Sequence, residues 1–179
     1  MPHDDDRSLL ERLLDCHARI REMMALASDL ANAPPETEDD VRDVAERIAR
    51  YFTRALPMHT QDEEESILPR LVDPGVRAAL DRMREEHHEH EPLSHALIAP
   101  CQALAAAPER WSVLRYAIRD AASALEPAMR SHLAEEERDV FPHLEALDDS
   151  ARQSIIDEMG ARRAGRGGGG GGRGRNRNH

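Results

Sequence analysis

The chain has 179 residues, a formal net charge of -11 and only 3% aromatic residues. One domain is the expectation at that length, and a core this poor in rings must be aliphatic, which suits helices better than sheets. The last acidic residue is Glu158, and Arg162, Arg163, Arg166, Arg173, Arg175 and Arg177 follow it; the body before them is therefore strongly acidic, which disfavours nucleic acid and anionic membranes as partners and is compatible with cation uptake.

The first periodic segment begins near Ser8. Leu10, Leu13, Leu14, His17, Ile20, Met24, Ala27 and Leu30 recur mostly at steps of three and four, which predicts a helix of about 25 residues. Ala33-Pro34-Pro35 ends it. Thr37 is placed to cap a second helix, with Glu38, Asp39 and Asp40 in its first turn. Its inward stripe reads Val41, Ala45, Ile48, Phe52, Ala55, His59 and Glu63, with Pro57 predicting a kink just before the histidine and Pro69 closing it.

Asp73-Pro74-Gly75 opens a short helical connection over 76–80. The third helix puts Met83, His87, Glu91, Ser94 and Ile98 on one face, with Pro92 and Pro100 inside it. The fourth turns Leu114, Ile118, Ala121, Leu125, Met129, His132 and Glu136 inward, with Pro127 as a second kink and Pro142 as the stop. Asp149 and Ser150 can cap a short last helix over 151–162. Four long amphipathic segments on short connections predict an all-α, antiparallel up-down four-helix bundle over residues 1–160. Residues 161–179 read as a disordered Gly/Arg-rich tail. With one RGG triplet rather than an array, that tail reads as inert and solvated before it reads as an arm for RNA.

No apolar run approaches the ~18 residues needed to span a membrane, and the acidic N-terminus lacks the apolar stretch of a signal peptide. A cytoplasmic chain, monomeric and without a membrane partner, is the expectation. Cys16 and Cys101 form no C-x-x-C and read as small buried apolar residues.

Within this frame a thirteen-residue phrase occurs twice. Residues 59–71 and 132–144 share H-x-x-[DE]-E-E-x-x-[IV]-[LF]-P-x-L. Each copy sets a His and a Glu four apart, on one helix face: His59 with Glu63, and His132 with Glu136. A helix with a lone inward His, then a helix with H-x3-E, occurs in each half, which predicts pseudo-twofold symmetry. Four imidazoles and two carboxylates suit Fe, Mn or Zn better than Mg or Ca. Six protein ligands crowd one ion; two ions can share them, two His each, with both Glu carboxylates and one oxo or hydroxo group as bridges. An octahedral ion then keeps one open position for an exogenous ligand. Glu64, Glu65, Glu135 and Glu137 are expected on solvated faces, although a neighbour can orient a ligand imidazole.

This ordered set resembles the hemerythrin-like, or HHE cation-binding, domain family over roughly Ser8 to Leu147. The family pattern is His in helix one, H-x3-E in helix two, His in helix three and H-x3-E or H-x4-D in helix four. The resemblance implies a four-helix bundle around a non-haem di-iron centre, with His17, His59, Glu63, His87, His132 and Glu136 as ligands. Oxygen-carrying members have H-x3-H in helix three. Here Glu91 stands at that second position and is carried as a candidate ligand, with His90 as second choice. The missing fifth His argues against stable O2 carriage. The expected function is binding or reaction of a small oxidant (O2, peroxide or NO) at two Fe ions, with Mn as the other metal. The alternative is a non-enzymatic iron- or oxygen-responsive switch acting through a partner. Ferritin-like sites fit less well, because only Glu85-x-x-His88 matches E-x-x-H. Neither H-E-x-x-H, G-x-S-x-G nor a P-loop is present.

Overall fold

A computed structural model of the chain describes residues 7–167, without the side chains of the last two. Residues 168–179, on which most of the expected tail falls, lie outside the described residues. Among the described residues every regular element is a helix, and no helix is long and apolar enough to cross a membrane.

Helix α1 spans Leu9–Asn32 and opens with a capping box. Ser8 Oγ accepts from the Glu11 amide at 3.2 Å, and the Glu11 carboxylate accepts from the Ser8 amide at 2.7 Å, so two orphan donors are satisfied reciprocally. Helix α2 spans Glu38–Arg50, capped by Thr37, with the expected three acids in its first turn.

The helical path then continues through a π turn at Tyr51–Ala55, α3 at Leu56–Asp62, a second π turn at Glu63–Ile67 and a 3-10 turn at Leu68–Arg70. The kink expected at Pro57 thus takes the form of a widened turn, in which the Leu56 amide bonds the Tyr51 carbonyl five residues back. A proline ring crowds the carbonyl four residues before it and offers it no donor, and one extra residue in the turn relieves both problems. The same extra residue moves the inward position from Ala55, which is exposed, to Leu56, which is buried.

Helix α4 runs unbroken over Arg77–Ala106, through both internal prolines. The connection expected over 76–80 is its first turn rather than a separate element, and an Asx turn starts it, Gly75 N donating to Asp73 Oδ1 at 2.8 Å. Helix α5 spans Trp111–Asp139, also through its proline. Short α6 covers Phe141–Glu145, and α7 covers Asp149–Gly167, five residues beyond the expected stop at Arg162.

Helix α1 packs on α2 and α5, and α4 packs on the same two. The buried side chains form two aliphatic clusters. One holds Ile20, Leu30, Ile48, Phe52, Leu56, Leu97, Leu104, Leu125 and Met129. The other holds Leu13, Met83 and the apolar endings of both repeat copies, Ile67, Leu68 and Leu71 with Val140, Phe141 and Leu144, closed by Ile155 and Met159 of α7. Along α1 the chain passes from the second cluster to the first; the α2–α3 path returns, α4 crosses again, and α5 returns. Trp111 Nε1 donates to the Leu30 carbonyl at 2.7 Å, tying the end of α1 to the start of α5. Each fully buried Leu or Ile contributes about 1.5–3 kcal/mol. Those contributions offset the cost of what lies between the clusters, a layer of buried polar side chains.

Candidate metal centre

Each crossing segment delivers its histidine to that layer: His17 from α1, His59 from α3, His87 from α4 and His132 from α5. Glu63, at the head of the second π turn, is wholly buried and lies between two of them. Its Oε1 is 2.8 Å from His59 Nε2, and its Oε2 is 3.1 Å from His87 Nε2. Glu136 Oε2 lies 3.2 Å from His17 Nε2 and 3.9 Å from His132 Nε2. The donor atoms form two groups, each with all its atoms within 4.8 Å of one another: His17, His59, Glu63 and Glu136, and Glu63, His87 and His132. Glu63 belongs to both. The histidine rings meet in the same pairs, His17 on His59 at 5.2 Å and His87 on His132 at 4.9 Å between centroids.

The outward ring nitrogens explain why these inner atoms suit a cation. Nδ1 of His17, His87 and His132 each lies 2.8 Å from a carboxylate, that of Glu137, Glu64 and Glu86 respectively. A carboxylate only accepts, so Nδ1 carries the proton and Nε2 of the neutral ring turns a lone pair inward. Nε2 of His17, His59 and His87, both oxygens of Glu63 and Oε2 of Glu136 are buried without a hydrogen-bond partner. Acceptors converging on acceptors in a dry layer repel one another unless positive charge stands among them. The residues fit a metal site.

Without metal, protons take that part. Burial pulls His59 down, but the Glu63 carboxylate against it, the Cys16 thiol and the charge of Glu136 together raise it well above the ordinary histidine value. His87 is raised in the same way, against burial, by Glu63 and Glu64. Burial alone would raise Glu63; the two histidines hold it well below the carboxylate range. For Glu136, burial and then the charge of Glu63 push the carboxyl up to about 7. Cation uptake must expel the imidazolium protons.

The π turns also break the pseudo-twofold symmetry. In the first copy Asp62 is fully buried and paired with two arginines of α7, Arg162 Nη1 at 2.8 Å and Arg163 Nη2 at 2.8 Å. Arg162 also donates to Ser66 Oγ at 2.7 Å, inside the second π turn. The matching residue of the second copy, Glu135, pairs instead with Arg82 at 3.0 Å on a plain α-helix.

Six of the seven expected ligands come together; Glu91 does not. It is exposed and outside both groups. The buried line of α4 reads Met83, His90, Ser94, Leu97, Cys101 and Leu104, so the step after His87 is three residues, and Glu91 falls one position past the stripe. His90 is buried with its ring 5.1 Å from that of His132, and burial lowers its pKa to about 4. His88 is exposed. A cavity of about 280 Å³ opens beside His87, His90 and His132, walled by Phe52, Leu56 and Met129. The second possibility raised for the neighbouring glutamates, that one orients a ligand imidazole, holds for Glu64 and Glu137, whereas sequence reasoning missed the pairing of Glu86 with His132 and the burial of Asp62. Glu64 and Glu137 hold the same place in the two repeat copies, a signal that could have singled them out from Glu65 and Glu135.

The sequence model of the Hemerythrin HHE cation binding domain matches residues 8–105, more than half the chain and the span that contains His17, His59, Glu63 and His87. The chain is also similar to an uncharacterized protein of Haemophilus influenzae, 30% identical over 83 residues, which is 44% of this chain and 48% of that protein. The chain thus spans about half the length of that relative.

Proposed function

Because the chain belongs to the hemerythrin HHE cation-binding domain family, we propose that it is a carboxylate-bridged di-iron protein, built as an antiparallel four-helix bundle, that binds or reacts with a small oxidant: O2, peroxide or NO. The observation that carries this reading is Glu63, buried and shared by both donor groups, with one oxygen directed at His59 and the other at His87. On this reading His17 and His59 hold one ion, His87 and His132 the other, and Glu63 and Glu136 lie between them. Iron bound there supplies redox-active Lewis-acid positions; manganese fits the same donors.

The rest is the work of the chain. Glu137, Glu64 and Glu86 orient three imidazoles and raise their basicity as ligands. Phe52, Leu56 and Met129 keep bulk water from the cavity wall. His90 stays neutral at pH 7, and its ring, with the buried and unpartnered Ser94 hydroxyl, offers hydrogen bonds to a small guest in that cavity. With Glu91 outside the donor groups, six side chains would hold the two ions and leave room for an exogenous ligand, which would favour reaction over reversible storage.

The deciding experiment is metal content and the optical spectrum of protein purified without chelator, before and after dithionite, and then with O2, H2O2 and NO. Roughly two irons per chain, with bands that respond to one of these oxidants, are expected. No bound metal and no anaerobic uptake of ferrous iron would end the reading. A second reading, an iron-responsive switch, is favoured by the clamp between α7 and Asp62, the residue next to Glu63. Iron inert to all three oxidants, with metal-dependent change in α7, would select it.

A further inference from the structure

The four histidines differ in what stands behind them. Three have a carboxylate at Nδ1. Nδ1 of His59 has no carboxylate or other oxygen or nitrogen partner, although the residue is only 4% exposed. The internal repeat identifies what is missing. Glu64 and Glu137, each five residues after an H-x3-E histidine, cross to the lone histidine of the opposite half. Glu86, just before His87, reaches His132. Its counterpart, just before His17, is Cys16, which stands beside His59. A thiol is a weak acceptor where the other half has a carboxylate.

His59 and Cys16 line a second cavity, of about 530 Å³, and His59 is the residue it shares with the cavity beside His87. Among the described residues its lining carries five arginines, Arg7, Arg12, Arg19, Arg54 and Arg163, against one carboxylate, Asp15. Arg7 pairs with Asp15, Arg19 with Glu22 and Arg163 with Asp62, and Arg12 Nε donates to the Arg7 carbonyl. Arg54 has no ion-pair or hydrogen-bond partner among the described residues. A guanidinium without a partner on the wall of a concavity is a ready contact for an oxyanion.

We propose that this cavity binds a small oxyanion, a phosphate or carboxylate group, between Arg54 and the outward edge of His59, where it supplies a stronger acceptor than the Cys16 thiol. The bound group takes the place that Glu86 has behind His132. Resting on the di-iron reading for this consequence alone, occupancy of the cavity tunes the metal centre through the His59 ring.

The test is calorimetric titration of the metal-free full chain with inorganic phosphate, and separately with acetate, at constant ionic strength. Nitrogen-15 spectra of the histidine side chains follow His59 Nδ1, and the optical spectrum of the iron-loaded protein is recorded with each anion. Saturable binding that shifts His59 Nδ1 is expected, weakened roughly tenfold or more in Arg54→Ala and partly kept in Arg54→Lys. Cys16→Glu places a carboxylate where the repeat has Glu86, and should abolish anion binding in a chain that still shows full helicity. Tighter binding of phosphate points to a phosphate-bearing ligand, and of acetate to a carboxylate-bearing one. No saturable binding to folded wild-type protein, or binding unaltered by Arg54→Ala, overturns the proposal. Iron uptake without anion binding refutes this inference alone; anion binding without iron uptake refutes only the di-iron reading.

Discussion

Removing both arginines that meet Asp62, as Arg162→Ala with Arg163→Ala, should unfold the protein far more easily than a surface change of the same size. Asp62 is 0% exposed, while Arg162 and Arg163 are 16% and 42% exposed. Truncating the partners of a buried charge leaves it dry and unpaired, at a cost of about 3–5 kcal/mol. For a domain of this size each kcal/mol lowers Tm by about 2–4 °C, which gives a fall of about 6–20 °C. The opposite perturbation is milder, because in Asp62→Asn the two guanidinium groups can still reach water. Adding Asp62→Asn to the double variant should therefore restore most of the loss. The assay is thermal and urea denaturation of metal-free protein, so that metal affinity does not mask the folding change. A double variant within about 1 kcal/mol of wild type would refute the buried-charge argument, as would a triple variant no more stable than the double.

Three further outcomes follow from the same geometry. Glu64→Gln, Glu86→Gln and Glu137→Gln should each weaken metal affinity by about 10–100-fold in chelator competition, whereas Glu89→Gln, exposed on α4, should not; equal affinities would mean that the Nδ1 contacts orient nothing. In metal-free protein His59 and His87 have raised pKa values, so their contribution is complete below the ordinary 6.5 and fades as pH rises through the raised values. Stability of metal-free protein should thus decline on that alkaline side, metal should remove the decline, and metal uptake near neutral pH should release protons to an indicator dye; uptake with no proton release would contradict the charge state assigned to the layer. His90 has a lowered pKa, so its contribution is present above 6.5 and is lost as pH falls toward about 4. His90→Phe should flatten urea-denaturation midpoints across that window, and a slope equal to wild type would exclude His90 as a source.

Much of this was legible because it depends on local period. The four histidines and two glutamates lie on helix faces at steps of three and four, and the duplicated phrase marks two of the four helices that carry them. Its apolar endings, Ile67 with Leu68 and Phe141 with its neighbours, also declare a buried end. The choice between Glu91 and His90 was not legible, because a 3.6-residue turn allows a step of three or four after His87, and packing against His132 decides between them. The same limit hid the π turns, which displaced Ala55 in favour of Leu56.

The sequence by itself determined an all-helical chain and the identity of six converging donors, since both follow from the spacing of residues along single helices. Only the tertiary structure decided that Glu63 is shared by both donor groups, that Glu137 crosses to His17 and Glu86 to His132, that Asp62 is sealed beneath α7, and that His59 alone among the four histidines has no carboxylate behind it. Those facts join residues 23 to 120 positions apart, and periodicity within a helix carries no information on which side chain of a distant helix will fill the space opposite.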